Sequence, residues 1–293
     1  MMGLILPAYP AKAFLGFLVI IAICQQLAHA QVPAAKATPT GERIRIDGKL
    51  DEPAWQSAPP IGALLQAQPD EEVAATEETV VRVLYDSSAI YFGITCLDNT
   101  PSGIVSTQLT RDGDLGVDDN VAVVLGPFFD HRNGFFFMVN PAGARADGQI
   151  SNNAEHPTLD WDGIWNASAR ITQEGWVAEI AIPFKTLRFK PGQTTWGFNI
   201  QRQIKRRNEI DRWAGPRRNV WMSNLAEAGV LEDLPVISRG KASKYARTAW
   251  CAGRTASGKP TVVWISRRTC APTSTAPSPS TPTSLRPRWI QGM

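Results

Sequence analysis

The chain has 293 residues, 43% hydrophobic and 19% charged, a composition that excludes intrinsic disorder and allows one large domain or two small ones. Only the N-terminal apolar run approaches membrane length, which excludes a polytopic helical membrane protein, and a content of 3 His and 4 Cys argues against a zinc enzyme. The net charge of +3 is unevenly spread: residues 31–240 carry 20 basic and 27 acidic side chains, whereas residues 241–293 carry 9 basic ones and no acid, so no nucleic-acid partner is expected.

Lys12, the apolar run Phe14 to Cys24 and the small residues of Ala28-His29-Ala30 form a secretory signal pattern. Cleavage is expected before Gln31, giving an exported chain, and Ile23 before Cys24 argues against a lipoprotein site. Cys96, in the strand pattern Ile90 to Leu97, reads as a buried thiol.

Residues 31–41, rich in Ala, Pro and Thr, read as a flexible leader. Arg43 to Ile46 alternates as a short strand before the turn at Asp47-Gly48, and a short helix is predicted at Pro53 to Trp55. Thr79 to Tyr85 and Ala89 to Leu97 flank Asp86-Ser-Ser88 as a hairpin. Further strands are predicted at Asn120 to Gly126, Gly134 to Asn140, Ile164 to Thr172, Trp176 to Ile182 and Trp196 to Ile204, with a helical turn at Pro183 to Leu187. About eight or nine regularly spaced strands with no long amphipathic helix predict an all-β, two-sheet antiparallel sandwich.

Several motifs in this stretch occur together and in order. Asp47-Gly-Lys-Leu-Asp-Glu-Pro-Ala-Trp55 is followed by Tyr85-Asp86, Ile90-Tyr-Phe92, Arg111-Asp112, Asp118-Asp119 and Asn140-Pro-x-Gly143. Then come Trp161-Asp-Gly-x-Trp165, Gly175-Trp-x-x-Glu179, Ile182-Pro-Phe184, Leu187-Arg-Phe189, Trp196-Gly197 and Arg202-x-x-x-Arg206. Over residues 42–240 this series resembles carbohydrate-binding module family 9-like domains. The later motifs resemble the subgroup that forms the N-terminal periplasmic part of outer-membrane β-barrel proteins. The resemblance implies a jelly-roll-like sandwich, an oligo- or polysaccharide ligand tied to carbohydrate catabolism, structural calcium, a periplasmic location and a missing C-terminal barrel. Behind this reading stand, in order, a structural or plug domain that binds no sugar and part of a glycoside hydrolase.

Trp55, Trp176 and Trp196 read as core anchors. Trp161 and Trp165, in a loop rich in Asp, Asn and Gly, and Trp213, after Asn208 to Arg212, are candidates to stack on the apolar face of a sugar, with core packing as the alternative. Arg111, Asn140 and Arg202 are candidates to hydrogen-bond its hydroxyls. Asp112, Asp118 and Asp119 supply the hard oxygen ligands that Ca²⁺ prefers, although the spacing is not that of an EF-hand. Asp160 and Asp162 could form a glycosidase pair on paper, but no GxSxG, HExxH or Cys/His pair accompanies them, and no catalytic residue is assigned.

From Lys241 the family pattern stops and a basic, Ser/Thr/Pro-rich tail, expected to be disordered, runs to Met293. In a shifted reading frame, permitted codons for Pro277 to Trp289 encode Leu-Thr-Val-Asn-Thr-Asp-Phe-Ala-Glu-Ala-Glu-Val-Asp, which resembles the family's lead-in to the barrel. The expectation is a frameshift near residue 241 that truncated a longer protein.

Overall fold

The computed structural model describes residues 32–237 and, in a separate unit spanning residues 240–293, the short antiparallel pair Gly253–Arg254 and Pro260–Thr261. The signal segment and the rest of the tail lie outside the described residues. In chain order the first unit contains β1 (Ala34–Lys36), β2 (Thr38–Pro39), helix α1 (Pro53–Ser57), β3 (Leu65–Gln68), β4 (Thr79–Tyr85), β5 (Ala89–Leu97), β6 (Asn120–Gly126), β7 (Gly134–Val139) and β8 (Arg145–Ile150). β9 (Asn166–Thr172), β10 (Gly175–Pro183), β11 (Trp196–Ile204), β12 (Glu209–Arg212) and β13 (Gly229–Glu232) follow. The larger sheet runs β1–β13–β11–β6–β7–β8, with β12 also on β11 and β3 on β12; the smaller runs β2–β4–β5–β10–β9. The fold is thus an all-β sandwich, and β4, β5, β6 and β11 have the limits that their residue patterns predict.

Strand alternation sorts the side chains into faces. Val121, Val123, Leu125, Phe135, Phe137, Trp196, Phe198 and Ile200 point inward from the large sheet, and meet Val81, Val83, Phe92, Ile94, Trp176 and Ile180 from the small one. Phe92 stacks on Phe198 across the interface, with centroids 5.9 Å apart. The opposite face of the large sheet carries a second apolar cluster, in which Ala122, Val124 and Ile150 are covered by Met222, Leu225 and Ala228. β11 is long enough to pair with β13 through Trp196 to Phe198 and with β12 through Gln201 to Ile204. At that second end β12 and β3 widen the sheet.

Two expectations need correction. The segment read as a flexible leader is structured: β1 pairs in parallel with β13 of the large sheet and β2 in parallel with β4 of the small one. The chain changes sheets at Ala37, whose amide donates to the Glu232 carbonyl at 3.0 Å. Small side chains allow this close passage between the sheets, and the same Ala-, Pro- and Thr-rich composition is what resembles a flexible leader in the sequence. Arg43 to Ile46 is not a strand, because its neighbourhood sends backbone donors to carboxylates instead. Arg45 N–H donates to Glu52 Oε1 (2.9 Å) and Ala54 N–H to Glu42 Oε2 (3.0 Å). Ile44, Trp55 and Ala58 then pack with Leu84 on the outer face of the small sheet.

This covering segment is anchored by Glu179 of β10. Its buried Oε2 accepts the amides of Asp47 (2.9 Å), Gly48 (2.8 Å) and Lys49 (3.3 Å). Gly48 has φ +84°, and Gly93, opposite Glu179 in the register, lies so close to Trp55 that an added Cβ would meet its ring at 2.8 Å. Burial is the largest influence on Glu179 and, with the nearby Glu52 charge, raises its pKa to about 7 against the pull of the amides.

The folded chain therefore holds a proton on Glu179 between its ordinary value of 4.5 and about 7, where the unfolded chain has released it. The stability linked to that proton is present below the lower value and lost as pH rises through the upper one. Glu179→Gln is expected to flatten the decline of the melting temperature between acidic and mildly alkaline pH. Glu179→Ala, which strips the amides of their acceptor, is expected to cost about 3 kcal/mol in denaturant unfolding. Equal pH profiles for wild type and Glu179→Gln would contradict this assignment.

Candidate functional site

The residues nominated from the sequence do not assemble into an open site. Trp165 and Trp213 are buried, and Trp161 is half-buried. Asp147 of β8, which the sequence analysis did not single out, organises the Trp161 to Trp165 loop. It accepts from Trp165 Nε1 (2.8 Å), from the Gly163 amide (2.7 Å) and from Arg111 Nη2 (2.8 Å). Arg111 also bonds the Gly163 carbonyl (3.0 Å) and pairs with Asp112 (3.3 Å) and Asp162. Trp161 and Trp165 pack against Phe137 at 6.0 and 5.1 Å, so the motif is a latch over the core. Trp213 packs on Phe198 at 5.3 Å. Asp162 is 75% exposed and held by Arg111, and neither it nor Asp160 lines a described cleft.

Asn140 and Asp118 form a buried knot. The Asp118 carboxylate accepts from the Thr107 amide (2.9 Å) and hydroxyl (2.7 Å), the Gln108 amide (2.8 Å) and Asn140 Nδ2 (2.9 Å). Burial would raise its pKa, but these bonds outweigh it and hold the group below the ordinary carboxylate range. Asp119 instead accepts the Lys205 amide at 2.7 Å, and Asp112 is exposed. Asp112, Asp118 and Asp119 therefore do not fit one cation, and no cluster of three or more His, Cys, Asp or Glu converges on a metal position among the described residues.

Arg202 lies wholly buried between the sheets. It donates to the carbonyls of Glu78 (3.1 Å) and Leu97 (2.8 Å) and pairs with Asp98 at 3.8 Å. Arg206 adds bonds to Asp98 at 2.6 and 2.8 Å. Asp211, opposite Arg202 in the β11–β12 register, is buried, and burial together with the adjacent Glu209 raises its pKa to about 8. Arg202 is thus a clamp joining β11 to β4 and β5, out of reach of a sugar.

The open site lies elsewhere, on the outer face of the large sheet where β12 and β3 widen it. A groove of about 210 Å³ is floored by Phe136, Gln201, Ile210 and Arg212, with Gln68 at one side. Its walls are the segments around His156 and Trp221. Trp221 is 49% exposed, and the His156 ring meets it at 5.5 Å, nearly edge-on. The wall is fixed on both sides of the indole. Met222 and Leu225 are buried against the sheet, Ser223 Oγ donates to the Glu155 carbonyl (2.8 Å), and Arg212 Nη1 donates to the carbonyls of Val220 (2.6 Å) and Gly215 (3.1 Å).

An aromatic face beside converging amide, imidazole and guanidinium groups suits a ligand with one apolar face and a rim of hydroxyls. A larger hollow of about 340 Å³ borders β5 and the β9–β10 turn, but its only aromatic ring is the buried Trp176. Its cysteine, Cys96, has a thiol that burial pushes up to about 12, and so is inert. Trp221 was missed because it falls outside the family motifs. It follows the polar stretch Pro216 to Asn219, which lacks the Asp- and Gly-rich character that nominated Trp161 and Trp165.

No protein-family profile and no curated protein matches the chain. Solved structures do. A family 9 carbohydrate-binding module from Caldicellulosiruptor kristjanssonii in complex with glucose aligns with a TM-score of 0.50 at 13% identity, over 70% of this chain and 97% of that one. A module of that family from the same organism in complex with cellotriose aligns at 0.49 and 15%, over 71% and 96%. A protein of Bacteroides uniformis described as a "putative carbohydrate-binding protein" aligns with a TM-score of 0.55 at 13% identity, over 69% and 99%. The β-sandwich of this chain has the fold of family 9 carbohydrate-binding modules.

Proposed function

We propose that the sandwich is a non-catalytic saccharide-binding module whose site is the Trp221 groove. The observation that carries this reading is a half-exposed indole, rigidly mounted beside Gln68, Gln201, His156 and Arg218. The ring covers the C–H face of a sugar, and the amides, imidazole and guanidinium bond its hydroxyls. A groove of about 210 Å³ has room for a short saccharide segment. A module of this fold solved with glucose supports the reading. A second reading, a structural domain that binds no sugar, is favoured by the burial of Trp165, Trp213, Asn140 and Arg202. A glycoside hydrolase has no comparable support, since Asp162 is engaged by Arg111 on the surface.

We further propose that the module is exported to the periplasm and is the front part of an outer-membrane barrel protein whose frame is interrupted near residue 241. The signal pattern at residues 12–30 and the shifted-frame reading of Pro277 to Trp289 support this.

Titration of the full-length chain with a panel of neutral and acidic oligosaccharides is expected to quench tryptophan fluorescence. Trp221→Ala is expected to weaken binding at least tenfold, about 1.4 kcal/mol, while the melting temperature moves little. Silence across the panel would favour the structural domain, and undiminished binding by Trp221→Ala would place the saccharide site outside this groove. Resequencing across codons 235–293 and downstream is expected to reveal a single-base change that restores a long open frame of alternating strands. A confirmed stop after Met293 with no barrel frame beyond it would sink the frameshift.

A further inference from the structure

The groove contains an electrostatic imbalance. Arg212 of β12 is only 5% exposed. Its Nε and Nη2 donate to Gln201 Oε1 (3.2 and 2.7 Å), and its Nη1 to the Gly215 and Val220 carbonyls. All of these acceptors are neutral. A guanidinium has five N–H groups, so one on Nη2 remains uncommitted. Among the described residues no carboxylate lies within 4.0 Å of Arg212, whereas the buried Arg202 and the half-buried Arg206 each have Asp98. Burial pulls the Arg212 pKa down to about 10, which still leaves it charged at neutral pH.

The other charged groups of the groove do not balance it. Arg218 donates to the Pro69 carbonyl and forms no ion pair among the described residues. Glu71 accepts the Arg218 backbone amide, so it stands at the rim. Glu155 is 53% exposed and faces His156 Nε2 at 3.7 Å. The acids are thus solvated and the deepest charge is positive, where the lower dielectric strengthens attraction to an incoming anion.

We infer that the groove selects anionic saccharides, with a sugar carboxylate or sulfate ester pairing with Arg212 at the floor and Arg218 at the rim. This rests on the saccharide-binding reading of the same groove and narrows it. A neutral sugar leaves the buried guanidinium without a counter-charge; an anionic one supplies it and gains a charge-assisted hydrogen bond.

The test is calorimetric titration of the full-length chain with methyl β-D-glucuronide, methyl β-D-glucoside 6-sulfate and methyl β-D-glucoside, at low and high salt. At least one anionic sugar is expected to bind about tenfold or more tightly than the neutral one, with the gap closing as salt is raised. Whichever anion is preferred identifies the group. Arg218→Ala is expected to weaken the anionic sugar several-fold more than the neutral one, and Arg212→Gln to abolish the preference. Arg218 is on the surface, so its variant keeps the test decisive if Arg212→Gln fails to fold. Equal affinity for all three sugars, or a preference indifferent to salt, overturns the inference and leaves saccharide binding standing. Absence of binding by every sugar overturns both.

Discussion

The structure depends on buried carboxylates that accept backbone amides. A sandwich whose loops fold back over its faces buries peptide groups that no strand pairs, and each needs an acceptor. Glu179 serves the turn at Asp47 to Lys49, Asp118 serves Thr107 and Gln108, and Asp147 serves Gly163 together with the Trp165 indole. Two of these three acids, Glu179 and Asp118, belong to motifs that link the sequence to family 9-like modules. Those motifs therefore mark the fastening of loops to sheets. They are about architecture, and they say little about what the surface binds.

That distinction explains what was legible in the sequence. β4, β5, β6 and β11 were readable to the residue, because β-branched and aromatic residues alternate between clear turn signals. β1 and β2 were not, since Ala35 and Ala37 are buried by their position between the sheets and carry no periodic signal. β3, β12 and β13 have four residues each, too few to show a period, and β3 and β13 take partners far away in the chain. The site suffered more. A Trp in a polar loop is a candidate for an exposed ring, but the sequence could not show that Trp165 turns inward to Asp147 while Trp221 stands half in solvent. Arg202 was misplaced for a related reason: alternation with Phe198, Ile200 and Ile204 puts it on the inward face, where the groups that hold its charge, Asp98 and the Glu78 and Leu97 carbonyls, come from distant parts of the chain.

The groove and the clamp occupy opposite faces of one piece of sheet. Arg202 and Asp211 lie between the sheets, while Gln201 and Arg212, their immediate neighbours along β11 and β12, lie on the outer face. Strand alternation makes the two inseparable. Backbone pairing from Gln201–Arg212 to Ile204–Glu209 keeps β12 in register on β11, and that register presents Arg212 beneath the Trp221 loop. Arg212 in turn ties the loop through its bonds to Val220 and Gly215. Groove and interior are thereby joined through a single pair of strands.

The most direct measurement is an NMR titration of the indole N–H resonances with a bound saccharide, in a chain that carries 10 tryptophans. The Trp221 resonance should shift, together with the side-chain amides of Gln68 and Gln201, while those of the buried Trp55, Trp165, Trp196 and Trp213 stay in place. A titration that moves Trp161 or Trp165 and leaves Trp221 unchanged would contradict the placement of the site on the outer face of the large sheet.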